Sequence, residues 1–121
     1  MTPAAAAALL AEGIALAEGY PNPNSVPWHA RNPGDLEHGD QGQGRINAIT
    51  IYPDHATGWL KTTQQALDML TGTSRFYKPS MSLLTIATPY TGAQNAPAWA
   101  TTVATHCGIQ PTDPISKLLT P

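Results

Sequence analysis

A single cysteine, Cys107, is the only thiol in the chain, so no intrachain disulfide can form. Neither C-x-x-C nor any Cys/His zinc spacing occurs, and the expected metal and cofactor content is none. His29, His38, His55 and His106 are dispersed, with no pair at i, i+4. Cys107 follows His106, but adjacent helical residues point about 100° apart, so Cys107 reads as a buried thiol near a helix end rather than a nucleophile. Charge is equally scarce: six Lys and Arg and eight Asp and Glu make up 12% of the residues, for a formal charge of −2. The cations are scattered singly, and without a basic stripe neither nucleic acid nor an anionic membrane is a natural partner. Long apolar runs are missing too. Nothing approaches the ~20 residues of a membrane span, so no membrane insertion is expected. Residues 4–11 are apolar, but no Lys or Arg precedes them and Glu12 cuts the run short, so no signal peptide is read there.

What remains is an ordinary globular composition, 41% hydrophobic over 121 residues, enough for one domain with a core and too short for two. The first helix is well marked: Thr2 as N-cap, Pro3 as first helical residue, Ala, Leu and Ile filling 4–17, and Gly19 as left-handed cap. It is apolar nearly all round, which predicts burial. Residues 20–33 carry Pro21, Pro23, Pro27 and Pro33 with Asn between, and are expected to form a rigid loop without regular structure. The glycine-rich segment 39–44 separates 35–37 from the alternating 47–52, predicting a small β-hairpin around it. Trp59, Leu60, Thr63, Ala66, Leu67 and Leu70 recur at helical spacing from Thr57 until Gly72. Shorter helices are expected over 82–88, stopped by Pro89, over 96–107 with Asn95 as N-cap and Gly108 as C-cap, and over 112–119. The fold class is therefore α+β, mainly α, with about five helices and one hairpin, in a single domain over 1–121. No internal repeat or linker divides it.

Several short motifs stand in a recognisable order. They are Glu18-Gly19-Tyr20, Arg31-Asn32-Pro33-Gly34-Asp35-Leu36, Tyr52-Pro53-Asp54 with Gly58-Trp59, and Gly72-Thr73-Ser74-Arg75-Phe76-Tyr77 with Met81-Ser82. Pro89-Tyr90 and the helix from Ala98-Trp99-Ala100 to Gly108 complete the set. In this order they resemble small phage and prophage lysozyme-like proteins, distant relatives of lytic transglycosylases and goose-type lysozymes, over most of residues 9–110. The resemblance implies a lysozyme-like fold and a catalytic glutamate at the end of a buried helix, facing a hairpin across a sugar cleft; Glu18 matches that position. It also implies peptidoglycan glycan strands as substrate, a monomer, and residence in the host cytoplasm until release to the wall, or in the virion.

The residues support the same candidate. A carboxylate at a helix C-terminus meets the negative end of the macrodipole, and burial against an apolar helix also disfavours its ionisation. A raised pKa is what a general acid for a glycosidic oxygen needs. The bland alternative for Glu18 is a solvated last-turn residue. Glu12, six positions earlier and about 120° around the helix, cannot pair with it and reads as structural, bonded to a loop. In Asn32-Pro33-Gly34-Asp35, Pro33 fixes one turn torsion and Gly34 permits a positive one, while Asn32 and Asp35 tie down backbone amides. Asp35 is also the first candidate for a second carboxylate, ahead of Glu37 and Asp40, although relatives often carry Asn there.

Tyr90 matches a tyrosine that lies near the acid in lytic transglycosylases, but Pro89-Tyr90-Thr91-Gly92 departs from the family's Tyr-Asn-Ala-Gly, and core packing is the other reading. Tyr20 and Trp28 are candidates to stack on sugar faces; Trp59 and Trp99 read as core. Arg31 is a candidate for substrate or for Asp35, with a surface role as the alternative, and Asn32 and Asp35 are candidates for binding substrate as well. The expected activity is cleavage between N-acetylmuramic acid and N-acetylglucosamine by one glutamate, leaving 1,6-anhydro ends. The alternatives are a hydrolytic muramidase with a second carboxylate, or a virion protein that keeps the fold and only binds glycan.

Overall fold

A computed structural model describes residues 1–37, 42–46 and 48–120 of the chain. Helix α1 (Pro3–Ala17) begins where the sequence places it. The Thr2 hydroxyl accepts from the Ala5 N–H, Pro3 occupies the first turn, and Gly19 turns the chain away at φ 79°. Around α1 the molecule is built. Ala6, Ala7, Leu10, Ala11 and Ile14 are essentially inaccessible, packed against α5 (Ala96–Cys107) and α3 (His55–Thr71). Gly13 lets α5 close in, since a Cβ there would stand 3.2–3.3 Å from Val103. The all-round burial read from composition holds for only part of the helix: Leu16 is 46% exposed and Glu12 lies at the surface.

Helix α3 starts at His55, capped by the Asp54 carboxylate on the Thr57 N–H, and ends at Gly72 with φ 85°. Its buried stripe is Gly58, Thr62, Ala66, Met69 and Leu70; Leu60, placed on that stripe by its spacing, points to solvent. Helix α4 (Leu83–Thr91) packs on α5 and runs through Pro89 instead of stopping before it. A proline inside a helix costs about 3 kcal/mol or more. Here the Gly92 N–H still reaches the Thr88 carbonyl, and Tyr90 is anchored by its hydroxyl on the Gly34 carbonyl. A 3₁₀ turn, Ile115–Leu119, closes the core with buried Ile115 and Leu118.

The loop expected over 20–33 contains a four-residue helix, α2 (Val26–His29). Pro27 stands in its first turn, where a missing N–H costs nothing, and Ser25 caps it. The hairpin also differs from expectation. Strands β1 (Arg45–Ile46) and β2 (Ile49–Thr50) pair antiparallel, Arg45 opposite Thr50 and Ile46 opposite Ile49. The strands therefore turn back after 46, not around the glycine-rich segment, of which 39–41, like Asn47, lie outside the described residues. Residues 35–37 form no strand, because Asp35 at φ 55° bends the chain there. They are held beside β2 by a single ladder-like bond, Thr50 N–H to the Leu36 carbonyl at 2.9 Å. Mainly helical with one small two-stranded sheet, the fold is α+β as the sequence predicts.

Candidate active site

Glu18 caps the C-terminal end of α1, its own N–H still bonded to the Ile14 carbonyl. Its side chain is half-buried and meets two groups. The indole N–H of Trp99, from the first turns of α5, donates to Glu18 Oε2 at 2.9 Å. The carboxyl of Asp35, from the loop after α2, shares a hydrogen bond with it. Two carboxyl groups in such contact hold one proton between them. Burial, then the Asp35 charge and the bond to Asp35, push the Glu18 pKa up to about 8, against a weaker downward pull from Trp99. Asp35 is also raised, first by burial and further by Glu37, but the bond from Glu18 draws it down. The proton therefore stays on Glu18, and Asp35 is the partner that ionises first.

Asp35 reaches this position through a tightly determined loop. Asn32 is wholly buried; its side-chain amide donates to the carbonyls of Leu36 and Thr50, and its side-chain oxygen accepts the Leu36 N–H at 2.8 Å. The Asp35 N–H closes the turn on the Asn32 carbonyl. The positive torsions fall on Arg31 (φ 53°) and Asp35 (φ 55°), not on Gly34 as the sequence suggested. Gly34 is needed for a different reason. Its N–H bonds to Thr62 Oγ1 at 3.0 Å, and a Cβ there would meet Thr62 at 2.8 Å. The loop is thus pressed onto α3, with Gly58 passing under the Arg31 carbonyl so closely that no side chain fits.

Tyr90, from α4, completes the group. Its hydroxyl donates to the Gly34 carbonyl at 2.6 Å, and its ring stacks on Trp99 with centroids 5.0 Å apart. Burial, and the nearby Glu18, Tyr77 and Asp35, hold its pKa well above the usual phenol range, so it remains a donor. Three hollows open around the carboxyl pair. One of about 360 Å³ runs from Glu18 between α1 and α5, over Leu16, Ala98 and Trp99. A second, about 330 Å³, lies between Glu18 and the hairpin, walled by Val26, Pro27, Ile46 and Ile49. The third, about 370 Å³, extends from Asp35 and Glu37 past Tyr77 and Tyr90.

Of the residues expected to meet a ligand, the structure brings Asp35 and Tyr90 to Glu18. Tyr20 is 5% exposed, its hydroxyl 2.6 Å from His55 Nδ1 and its ring packed on Trp28 and Trp59; it has no free face for stacking. Trp28 lies half-buried in the same cluster, against His55 at 4.5 Å, and lines none of the three hollows. Its neighbours Val26 and Pro27 form the wall instead, because the turn of α2 points Trp28 the other way. Arg31 is not the partner of Asp35; its Nε donates to the Tyr52 carbonyl at 2.6 Å, and its charge acts on Asp54. Asn32 is fully committed to the loop. Glu12 bonds to His106 of α5 at 3.0 Å rather than to a loop. Cys107 is buried as expected, its thiol pushed up to about 12 by burial and Glu12. Among the described residues no group of three His, Cys, Asp or Glu could hold a metal ion, and no helix is long and apolar enough to cross a membrane.

Trp99 is the neighbour of Glu18 that its helical spacing alone assigns to the core. It is indeed 2% exposed, but a buried indole N–H requires an acceptor. On a helix packed against α1, the one carboxylate at the end of α1 was the available choice. Comparison with known proteins adds no relative: no family model, no curated protein and no solved structure matches the chain.

Proposed function

We propose that this protein cleaves the glycan strands of peptidoglycan between N-acetylmuramic acid and N-acetylglucosamine on a lysozyme-like fold, with Glu18 as the acid. The observation that carries this reading is a carboxylic acid held protonated near neutral pH, at the meeting point of open hollows. The resemblance of the ordered motifs, from Glu18-Gly19-Tyr20 to the α5 helix, supplies the substrate class.

The chemistry needs only groups already described. Glu18 gives its proton to the glycosidic oxygen as the bond from that oxygen to the anomeric carbon breaks. The ionised Asp35 beside it favours the positive charge that develops on the sugar. The Glu18 carboxylate then takes the proton of the muramic C6 hydroxyl while that oxygen bonds to the anomeric carbon. A 1,6-anhydro ring closes and the acid is restored.

The contact between the carboxyls favours this version over hydrolysis. An inverting hydrolase needs about 6.5–9.5 Å between its acid and base, and a retaining one about 5–5.5 Å, with the sugar between them. Asp35 is hydrogen-bonded to Glu18 itself, which supports a role beside the acid rather than as a base on the far side of the sugar. A non-catalytic glycan-binding role is the rival of another class, and an assay separates them. Purified peptidoglycan is digested with wild type and with Glu18→Gln, and the products are reduced with borohydride and weighed. The expected result is wild-type products ending in anhydro sugars that gain no hydrogen, and a folded variant slower by orders of magnitude. Near wild-type lysis by the folded variant would remove Glu18 from its role. Uniformly reducible ends would make the enzyme a hydrolase.

A further inference from the structure

Phe76 is the most exposed large apolar side chain among the described residues, at 72%, yet its backbone is pinned. The C-terminal turn of α3 leads to Ser74, whose hydroxyl accepts the N–H groups of both Phe76 and Tyr77, at 3.2 and 3.1 Å. Lys78 Nζ then bonds back to the Ser74 carbonyl at 2.8 Å. An exposed aromatic ring on an ordered turn loses little entropy when something lies on it. It also does not stand alone. Ring contacts run from Phe76 to Tyr77, Tyr90 and Trp99, with centroids 6.3, 5.9 and 5.0 Å apart, ending at the indole that holds Glu18. Phe76 and Tyr77 flank the third hollow, whose other polar side chains are Gln65, Glu37, Asp35 and Tyr90, the last already bonded to the Gly34 carbonyl. Asp35 and Glu37 also line the hollow beside Glu18, so the two spaces are neighbours across this pair of residues.

We infer that the hollow beside Phe76 is a binding subsite for a further N-acetylated sugar of the strand, stacked on the Phe76 ring and hydrogen-bonded by Gln65 and Glu37. The inference rests on the glycan-cleaving reading above. The axial C–H bonds of a pyranose make one face apolar, and that face suits the negative face of an aromatic ring. Its equatorial hydroxyls and acetamide need acceptors and donors around the rim, which a carboxylate and a carboxamide provide. A hollow of about 370 Å³ with few, convergent polar groups has the dimensions of a small-ligand site. The subsite would fix the register of the strand, so its contribution is to binding rather than to the bond-breaking step.

The test uses peptide-free glycan strands prepared from purified peptidoglycan. Their cleavage is followed for wild type, Phe76→Ala, Phe76→Trp and, as a control, Leu60→Ala, a comparably exposed residue that lines none of the hollows. Binding of the same strands is measured in a Glu18→Gln background. Phe76→Ala is expected to raise KM and weaken binding roughly tenfold with kcat nearly held, Phe76→Trp to restore both, and Leu60→Ala to change neither. Strands bound and cleaved equally well by Phe76→Ala would overturn the subsite and leave the enzyme reading standing. An effect seen on peptide-bearing walls but not on free strands would assign the hollow to the stem peptide and overturn the sugar assignment. If wild type neither binds nor cleaves strands or walls, the glycan reading itself falls, and the subsite with it.

Discussion

Asp35 joins backbone geometry to chemistry at one position. Its φ of 55° lies where only Gly, Asn and Asp sit without much strain, so the loop itself restricts what can occupy it. The side chain then keeps the proton on Glu18. Asp35→Asn separates the two functions, because Asn tolerates the torsion but carries no charge. Glu18 should hold its proton less tightly in that variant, since the Asp35 charge raises its pKa. On the proposed glycan-cleaving function, the alkaline limb of wall lysis, expected near pH 8 in wild type from the Glu18 value, should move to lower pH. Paired pH–rate profiles of the two folded proteins check this; coincident limbs would mean the carboxyls do not communicate. Trp99 shows the same economy at the residue scale, filling the core with its ring and orienting the acid with its N–H.

Helix α3 positions the site more than its sequence pattern suggests. Two of its residues, Gly58 and Thr62, receive the Arg31–Asp35 loop: Thr62 Oγ1 accepts the Gly34 N–H while donating to the Gly58 carbonyl at 2.9 Å. Gly58 must lack a side chain because the Arg31 carbonyl occupies the place of its Cβ. Gly58→Ala would ordinarily favour a helix, by about 1 kcal/mol. Here it should destabilise by about 3 kcal/mol, since backbone cannot yield as a flexible side chain does. Urea denaturation measures the difference, and an alanine variant as stable as wild type would mean the loop does not press on α3. Helix α4 behaves comparably. It continues through Pro89 because the tertiary bond from Tyr90 to Gly34 and the packing on α5 outweigh the local penalty.

Over the whole molecule, the raised carboxyl pair links stability to pH. Glu18 rises from 4.5 to about 8, and Asp35 also lies above its ordinary 3.8. Between those limits the folded state binds more protons than the unfolded chain, so stability must fall as pH rises through this window. Asp54 and Asp113 are shifted the other way, each by backbone and side-chain hydrogen bonds. Their contribution is present above the ordinary aspartate pKa and fades as pH drops below it. Maximum stability is therefore expected at acidic pH, about 4 to 5. Thermal unfolding across pH should show Tm falling from pH 5 to about 8 in wild type and much less in Glu18→Gln. A flat wild-type Tm over that range would contradict burial of the pair.

The sequence by itself determined what depends on near neighbours. The cap at Thr2, the start of α5 after Asn95, the stops at Gly19, Gly72 and Gly108, and the apolar filling of α1 and α5 fixed five of the helix boundaries, although Asn95 makes no side-chain cap bond. The end of α1 in turn singled out Glu18. Local rules failed where a distant contact supplied the energy. Tertiary packing carried α4 through Pro89, α2 took advantage of Pro27 in its first turn, and the strands turned at 46 because Asp35 bends the chain that was expected to pair. Asp35 and Tyr90 were candidates from the sequence, but which candidates meet Glu18 was decided in three dimensions, and Trp99 was found only there. Asp35, Tyr90 and Trp99 lie 17, 72 and 81 positions from Glu18 in the chain. Tyr20, only two positions away, turns into an aromatic cluster with His55 because Gly19 reverses the chain between them. Composition and spacing report which groups a chain has and which face of an element they share. Which of them meet depends on how the faces pack, and that is a property of contacts far apart in sequence.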